Sequence, residues 1–413
     1  MFMRRLALAA ASGAVMVLPG MGVVTAGPAS ASSATLLATP AAAAAPAAAP
    51  DARAAAATDL KFALNDVSVL SSSDAWAVGD SATVLHWNGT TWTPVTIPGL
   101  PVNAGLNAVD AVSASDVWAA GESFASGAPV TALIVHWDGT TWTPVPNPGP
   151  SGPHLIVRLN HLNMDSAADG WAIGDVQDAR NGTSTGLVEH WNGTSWQQVT
   201  ASPAFEFRGV ASFSATNAWA VGNDRASSGK LTPAAFHWNG TRWTLAATLP
   251  VPSGVSPNQA FVSGLSAGSA TDMWAIGAYT FDSGGSLHSK NLAWHWNGTA
   301  WTAMAAPSPG ITSAGTSGLT GAAAISPANV WAVGFTETTN AQATVSVHWN
   351  GTSWARVATP NPGGINGSAL VAVAATGPGN VWAVGSYNTH PDPIDEVPNT
   401  LILRWNGTRW IRS

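Results

Sequence analysis

Along most of the chain, apolar residues alternate with small or polar ones over runs of four to eight, closed by Ser/Asp, Asn-Gly or Pro-containing breaks. A period of two is the pattern of strands with one packed face. The first stretch predicts strand A over about 63–70, the tight turn Ser71-Ser72-Ser73-Asp74, and strand B over 75–79. It continues with strand C over 83–87, an Asn88-Gly89 turn, and strand D over 91–95. Asn-Gly between two strands predicts a type I′ turn with positive φ at both residues.

This pattern recurs seven times. The hairpin signature is WNGTTW at Trp87–Trp92, WDGTTW at Trp137–Trp142, WNGTSW at Trp191–Trp196 and WNGTRW at Trp238–Trp243. It returns as WNGTAW at Trp296–Trp301, WNGTSW at Trp349–Trp354 and WNGTRW at Trp405–Trp410. Upstream of each stands Trp-Ala-x-Gly, at Trp76, Trp118, Trp171, Trp219, Trp274, Trp331 and Trp382. Of the 22 tryptophans only Trp294 falls outside these motifs. A strand-rich repeat of about 50 residues, seven times over, predicts an all-β, seven-bladed β-propeller with four antiparallel strands per blade. The expected blades are about 61–98, 103–148, 155–202, 206–250, 260–308, 317–362 and 368–413. The motif tryptophans are expected to form the blade core. Trp76 and Val78 share one face of strand B, and Ala75 and Ala77 the other. Each blade is therefore expected to nest a bulky face on its neighbour's small-residue face. No terminus donates a partial blade, so closure is expected from packing of the first blade on the last.

The N-terminus changes the picture. Arg4 and Arg5 precede an apolar stretch broken by Gly13, Pro19 and Gly20, and Ala29-Ser30-Ala31 fits a small-x-small cleavage site. This predicts a signal peptide over 1–31, a secreted product and no membrane span after cleavage; the arginine pair leaves the export route open between general and twin-arginine secretion. Residues 32–60 are Ala/Pro-rich and read as a linker. Charged residues make up 9% of the chain and the net charge is −7, which argues against a nucleic-acid partner. Without cysteine, thiolate metal sites are excluded, and a core this large needs no disulfides.

The layout resembles kelch and galactose-oxidase-like propellers, in which strand B ends in glycine and a tryptophan opens strand D, as Gly79 and Trp92 do here. One glycine stands where kelch repeats carry a pair. The chain is also similar, over about 60–413, to secreted actinobacterial propeller proteins with WAVG and HWNGTxW repeats. These resemblances imply a fold and no defined reaction.

Two connections per blade are short and two, B–C and D–A, are long and variable; in an up-and-down blade the long pair share one rim. Loops on a rigid scaffold carry binding residues. Candidate ligand contacts are therefore Tyr279, Tyr387, Phe124 and Phe335, with Asp224, Arg225, Arg208, Asn107 and Asn160. The two tyrosines are placed in B–C loops. Asn65, Asn107, Asn160, Arg208, Ser263 and Thr320 fall at equivalent positions of strand A, near the axis. Aromatic faces beside Asp, Asn and Arg suit a sugar, whose C–H face stacks and whose hydroxyls need fixed partners. His86, His136, His190, His237, His295 and His348 sit one per blade and are assigned to packing and hydrogen bonds between blades. Asp392, Asp395 and Glu396 form the densest acidic cluster, a weak calcium motif. Six Asn-Gly-Thr sequons lie at the hairpin tips, where turn chemistry accounts for them. No catalytic, cofactor or metal-ligating set is assigned. A monomeric, non-catalytic binder of a glycan or cell-envelope polymer leads; a protein-interaction scaffold and a polysaccharide hydrolase or lyase remain open.

Overall fold

The computed structural model describes residues 60–100, 103–124, 128–201, 205–225, 230–311, 315–338, 341–389 and 397–413. The signal segment, nearly all of the 32–60 linker and the Asp392–Glu396 cluster lie outside the described residues. Seven antiparallel sheets follow one another, each of four strands in the order A-B-C-D. Blade 1 comprises Leu64–Ser71, Asp74–Gly79, Thr83–Trp87 and Trp92–Pro94. Strand A of each blade packs on strand A of the next, and Leu64–Ser71 packs on Ser368–Gly377 of blade 7, closing a ring around an axis. The fold is a seven-bladed β-propeller.

Closure involves more than packing. Thr400, in strand C of blade 7, donates its N–H to the Leu60 carbonyl (2.9 Å) and its hydroxyl to that of Phe62 (2.7 Å). Strand D of blade 7 ends at Arg412, so the first described residues extend it.

The hairpin tip differs from a type I′ turn. Trp87 pairs directly with Trp92, leaving four residues between them. Only Gly89 has positive φ (95°). Asn88 instead uses its side chain: Oδ1 accepts the N–H groups of Thr90 and Thr91, both at 3.0 Å, and the Thr90 hydroxyl at 2.8 Å. This is an Asx turn, which tolerates Asp equally. Asp138 makes the same three bonds in blade 2, which pull its carboxyl down to about 2.

The tryptophans do not share one face. Trp76 pairs with His86, whereas Ala75 and Ala77 pair with Trp87 and Leu85. Each B-strand Trp therefore faces the next blade, and each hairpin pair faces the previous one. Every seam contains the same group: the B-strand Trp lies 4.8–5.3 Å, centroid to centroid, from the first hairpin Trp of the following blade. In six seams it also makes an edge-on contact with the second, at 5.1–5.7 Å. The small strand-B alanines leave room for the incoming ring. Trp294 fills the seam between blades 4 and 5, buried with its Nε1 donating to the Pro250 carbonyl at 2.6 Å.

The histidines bond within blades rather than between them. Nε2 of His86, His136, His190 and His295 lies 2.7–2.9 Å from Asp74, Asp116, Asp169 and Asp272, the residue two before the Trp of the same blade. His237 and His348 meet Asn217 and Asn329 instead. Each ring lies against its own blade's Trp, as His86 does on Trp76 at 4.2 Å. Arg404 replaces the histidine in blade 7 and lies over both Trp382 and Trp87.

Strand A contributes further inter-blade bonds. Asp66 accepts the N–H of Val109 (2.9 Å), and Asp110 that of Met164 (2.8 Å). Burial pushes these two carboxyls up, to about 7 and about 6, against the backbone bonds that pull them down.

Candidate functional site at the axial mouth

The glycine of Trp-Ala-x-Gly is the local cause of the site. In all seven blades strand A slips register opposite it, as at Leu64/Asp66 across from Gly79. The slip presses a strand A carbonyl onto the glycine: a Cβ there would lie 2.1 Å from Ala63 O in blade 1 and 1.8 Å from Arg158 O in blade 3. Only glycine allows this approach. The bulged residue is thereby set in the half of strand A nearer the long connections, beside the residue following the glycine. The seven pairs so formed are Asn65–Asp80, Asn107–Glu122, Asn160–Asp175, Arg208–Asn223, Ser263–Ala278, Thr320–Phe335 and Val371–Ser386.

Blades 1 to 3 repeat an amide–acid pair. Asn65 Nδ2 donates to Asp80 Oδ1 at 3.0 Å, Asn107 Nδ2 to Glu122 Oε2 at 2.6 Å and Asn160 Nδ2 to Asp175 Oδ1 at 2.7 Å. Asn65 and Asn107 also clasp the next blade through the carbonyls of Leu106 and Leu159, each at 3.0 Å. Burial raises the Asp80 carboxyl, and the Asn65 bond opposes it. Burial raises Glu122 too; Asn107 and Arg158 pull it down, while the Asp80 and Asp175 carboxylates push it up. The three acids thus lie within electrostatic reach and form an arc. Blades 5 to 7 complete the mouth with small and apolar side chains.

The structure therefore places three of the candidates, Asn107, Asn160 and Arg208, at equivalent bulge positions of consecutive blades, and disperses the aromatic ones. Tyr279 and Tyr387 lie in strand B (Asp272–Ser283 and Asn380–Tyr387), not in B–C loops, because that strand runs past the glycine. Tyr387 is buried in the blade core with Arg412 stacked on its ring and bonded to its hydroxyl; Tyr279 packs partly buried at the seam of blades 4 and 5. Phe335 belongs to strand B and holds the rim position of blade 6. Asp224 is one residue beyond that position, Phe124 is exposed at the end of strand B in blade 2, and the Arg225 side chain lies outside what is described. Asp80 was missed by sequence reasoning, although its signal was present: an acid directly after the glycine, as in blades 2 and 3.

Two other depressions exist. A cavity of about 270 Å³ lies between blades 3, 4 and 5, lined by His161, Asn163, Ser212 and Ser266 among others. A groove of about 590 Å³ runs between Leu60–Phe62 and strand D of blade 1. Among the described residues no group of His, Asp or Glu is placed to hold a metal ion, and no helix is long and apolar enough to cross a membrane.

No family model and no curated protein matches the sequence. Solved structures do match in shape. YCF48 bound to the D1 peptide aligns with a TM-score of 0.50 and 15% identity over 84% of this chain and 93% of its own. The WD40 β-propeller domain of Doa1 aligns at 0.50 and 13% over 82% and 92%. The GH74 xyloglucanase from Xanthomonas campestris aligns at 0.50 and 14% over 84% of this chain and 55% of its own. Likeness at such identity defines the class, a β-propeller, and leaves activity to the site.

Proposed function

We propose that this is a secreted, monomeric, non-catalytic propeller that binds a carbohydrate or cell-envelope polymer at the axial mouth on the long-connection rim. The observation carrying this reading is the amide–acid pair repeated on blades 1 to 3 at the bulge opposite the strand B glycine. Paired carboxylates held by amides accept sugar hydroxyls in fixed directions, and Phe335 offers an apolar face across the ring. The neighbours by shape include a peptide complex and a xyloglucanase, so the fold accommodates both polymer classes; the acid-rich arc favours a polyhydroxylated one.

The test is a glycan array with the mature chain, followed by titration of hits against Glu122→Gln and Asp175→Asn. Affinity should fall about tenfold per variant, the size of one lost charged hydrogen bond, while Tyr387→Ala acts through stability. Co-purification with an envelope protein and no glycan binding would replace this reading by the scaffold. Reducing ends released from polysaccharide, and lost in Glu122→Gln, would replace it by hydrolysis.

A further inference from the structure

The mouth is not uniformly acidic. Blade 4 reverses the chemistry of blades 1 to 3: Arg208 stands where they carry the bulged amide, and Asn223 where they carry the acid. Arg158, two residues before the bulge of blade 3, adds a second guanidinium one blade away. Each is held by the protein through one loose ion pair only. Arg158 Nε lies 3.7 Å from Glu122 Oε1, and Arg208 Nη2 lies 3.8 Å from Glu206 Oε2, both longer than a hydrogen bond. Among the described residues no hydrogen bond reaches either guanidinium, although the side chains are only 36% and 26% exposed. Asn223 is 5% exposed, and its Oδ1 has no partner, an acceptor that suits a sugar hydroxyl and not the carboxylate. Each guanidinium carries five donors, so most of them remain open to a ligand.

We infer that this corner of blades 3 and 4 binds a carboxylate of the ligand, and that the polymer recognised carries uronic acid residues. The inference rests on the glycan-binding reading above and narrows its substrate class. A carboxylate accepts two parallel N–H bonds from one guanidinium. The acids of blades 1 to 3 accept hydroxyl protons from the same sugar chain. They also fix its orientation, because a reversed chain would set its carboxylate against Asp80.

The experiment is calorimetric titration of the full mature chain with tetragalacturonate and with its methyl ester, at low and physiological salt. The free acid is expected to bind at least tenfold more tightly than the ester, with an advantage that shrinks as salt rises. Arg158→Gln and Arg208→Gln should each lose about tenfold for the acid and leave ester binding unchanged. Arg208→Lys, which keeps charge and bulk without the planar fork, should retain part of the advantage. Equal binding of acid and ester, or arginine variants without effect, would overturn the inference and leave glycan binding standing. Binding of neutral oligosaccharides in preference to tetragalacturonate would do the same. Failure of every glycan, charged or neutral, would overturn both.

Discussion

Glu189 sits two residues before the first hairpin Trp of blade 3, where the other blades carry Leu85, Val135, Phe236, Trp294, Val347 and Leu403, all fully buried. It is fully buried as well, and neither carboxylate oxygen has a partner. Burial pushes the carboxyl up to about 7. A raised acid leaves stability intact below its ordinary value and removes it as pH climbs through about 4.5 to 7. Glu189→Leu should therefore stabilise the protein, with a gain over wild type that grows by about 3 kcal/mol between pH 4 and pH 8. Denaturation midpoints at both pH values check this; a gain independent of pH would show that the carboxyl is not buried neutral. His161, which burial lowers to about 4, runs the other way with pH but cancels in the comparison. The deviation was readable as Leu-Val-Glu-His-Trp against six apolar counterparts. The charge state was not, because it depends on a seam between blades.

At the scale of elements, the seams are three-tryptophan contacts and the bulges are glycine contacts. Trp331 packs on Trp405 and Trp410 of blade 7, so Trp331→Ala should cost about 3–5 kcal/mol, measured by chemical denaturation. Gly174→Ala places a methyl 1.8 Å from the Arg158 carbonyl. It should cost about 3 kcal/mol or more and displace Asn160 and Arg158 together. Truncation before Ala63 removes the two bonds to Thr400 and should cost about 1–2 kcal/mol, with hydrogen exchange at the Thr400 amide rising first. Strand number, order and the core role of the motif tryptophans were legible from alternation and repeat alone. Alternation also gave the faces of Trp76 and Ala75 correctly. It did not give their partners, since Trp76 meets the next blade while Trp87 meets the previous one. The bulge was invisible because a glycine closing a strand reads as a turn signal. It is what sets Asn65, Asn107 and Asn160 beside the acids that follow the glycines.

For the whole molecule, the regular and the variable connections lie on different rims. A–B turns of two residues and four-residue C–D tips repeat around one rim. The opposite rim carries connections as long as the Thr248–Ala260 and Tyr387–Asn399 intervals. The sequence made that division plain, along with Asn107, Asn160 and Arg208 as axial candidates. It left Asp80 unassigned, because the bulge that sets Asn65 beside it is not visible in the sequence. The central claim is that the mouth formed by blades 1 to 4 is where ligand binds. It is tested most directly by a crystal structure of the mature chain with a glycan bound. The account predicts a sugar over the axis, with hydroxyls on Asp80, Glu122 or Asp175 and its carboxylate on Arg208. A sugar seated on the short-turn rim, or held by outer loops with these side chains untouched, would contradict it.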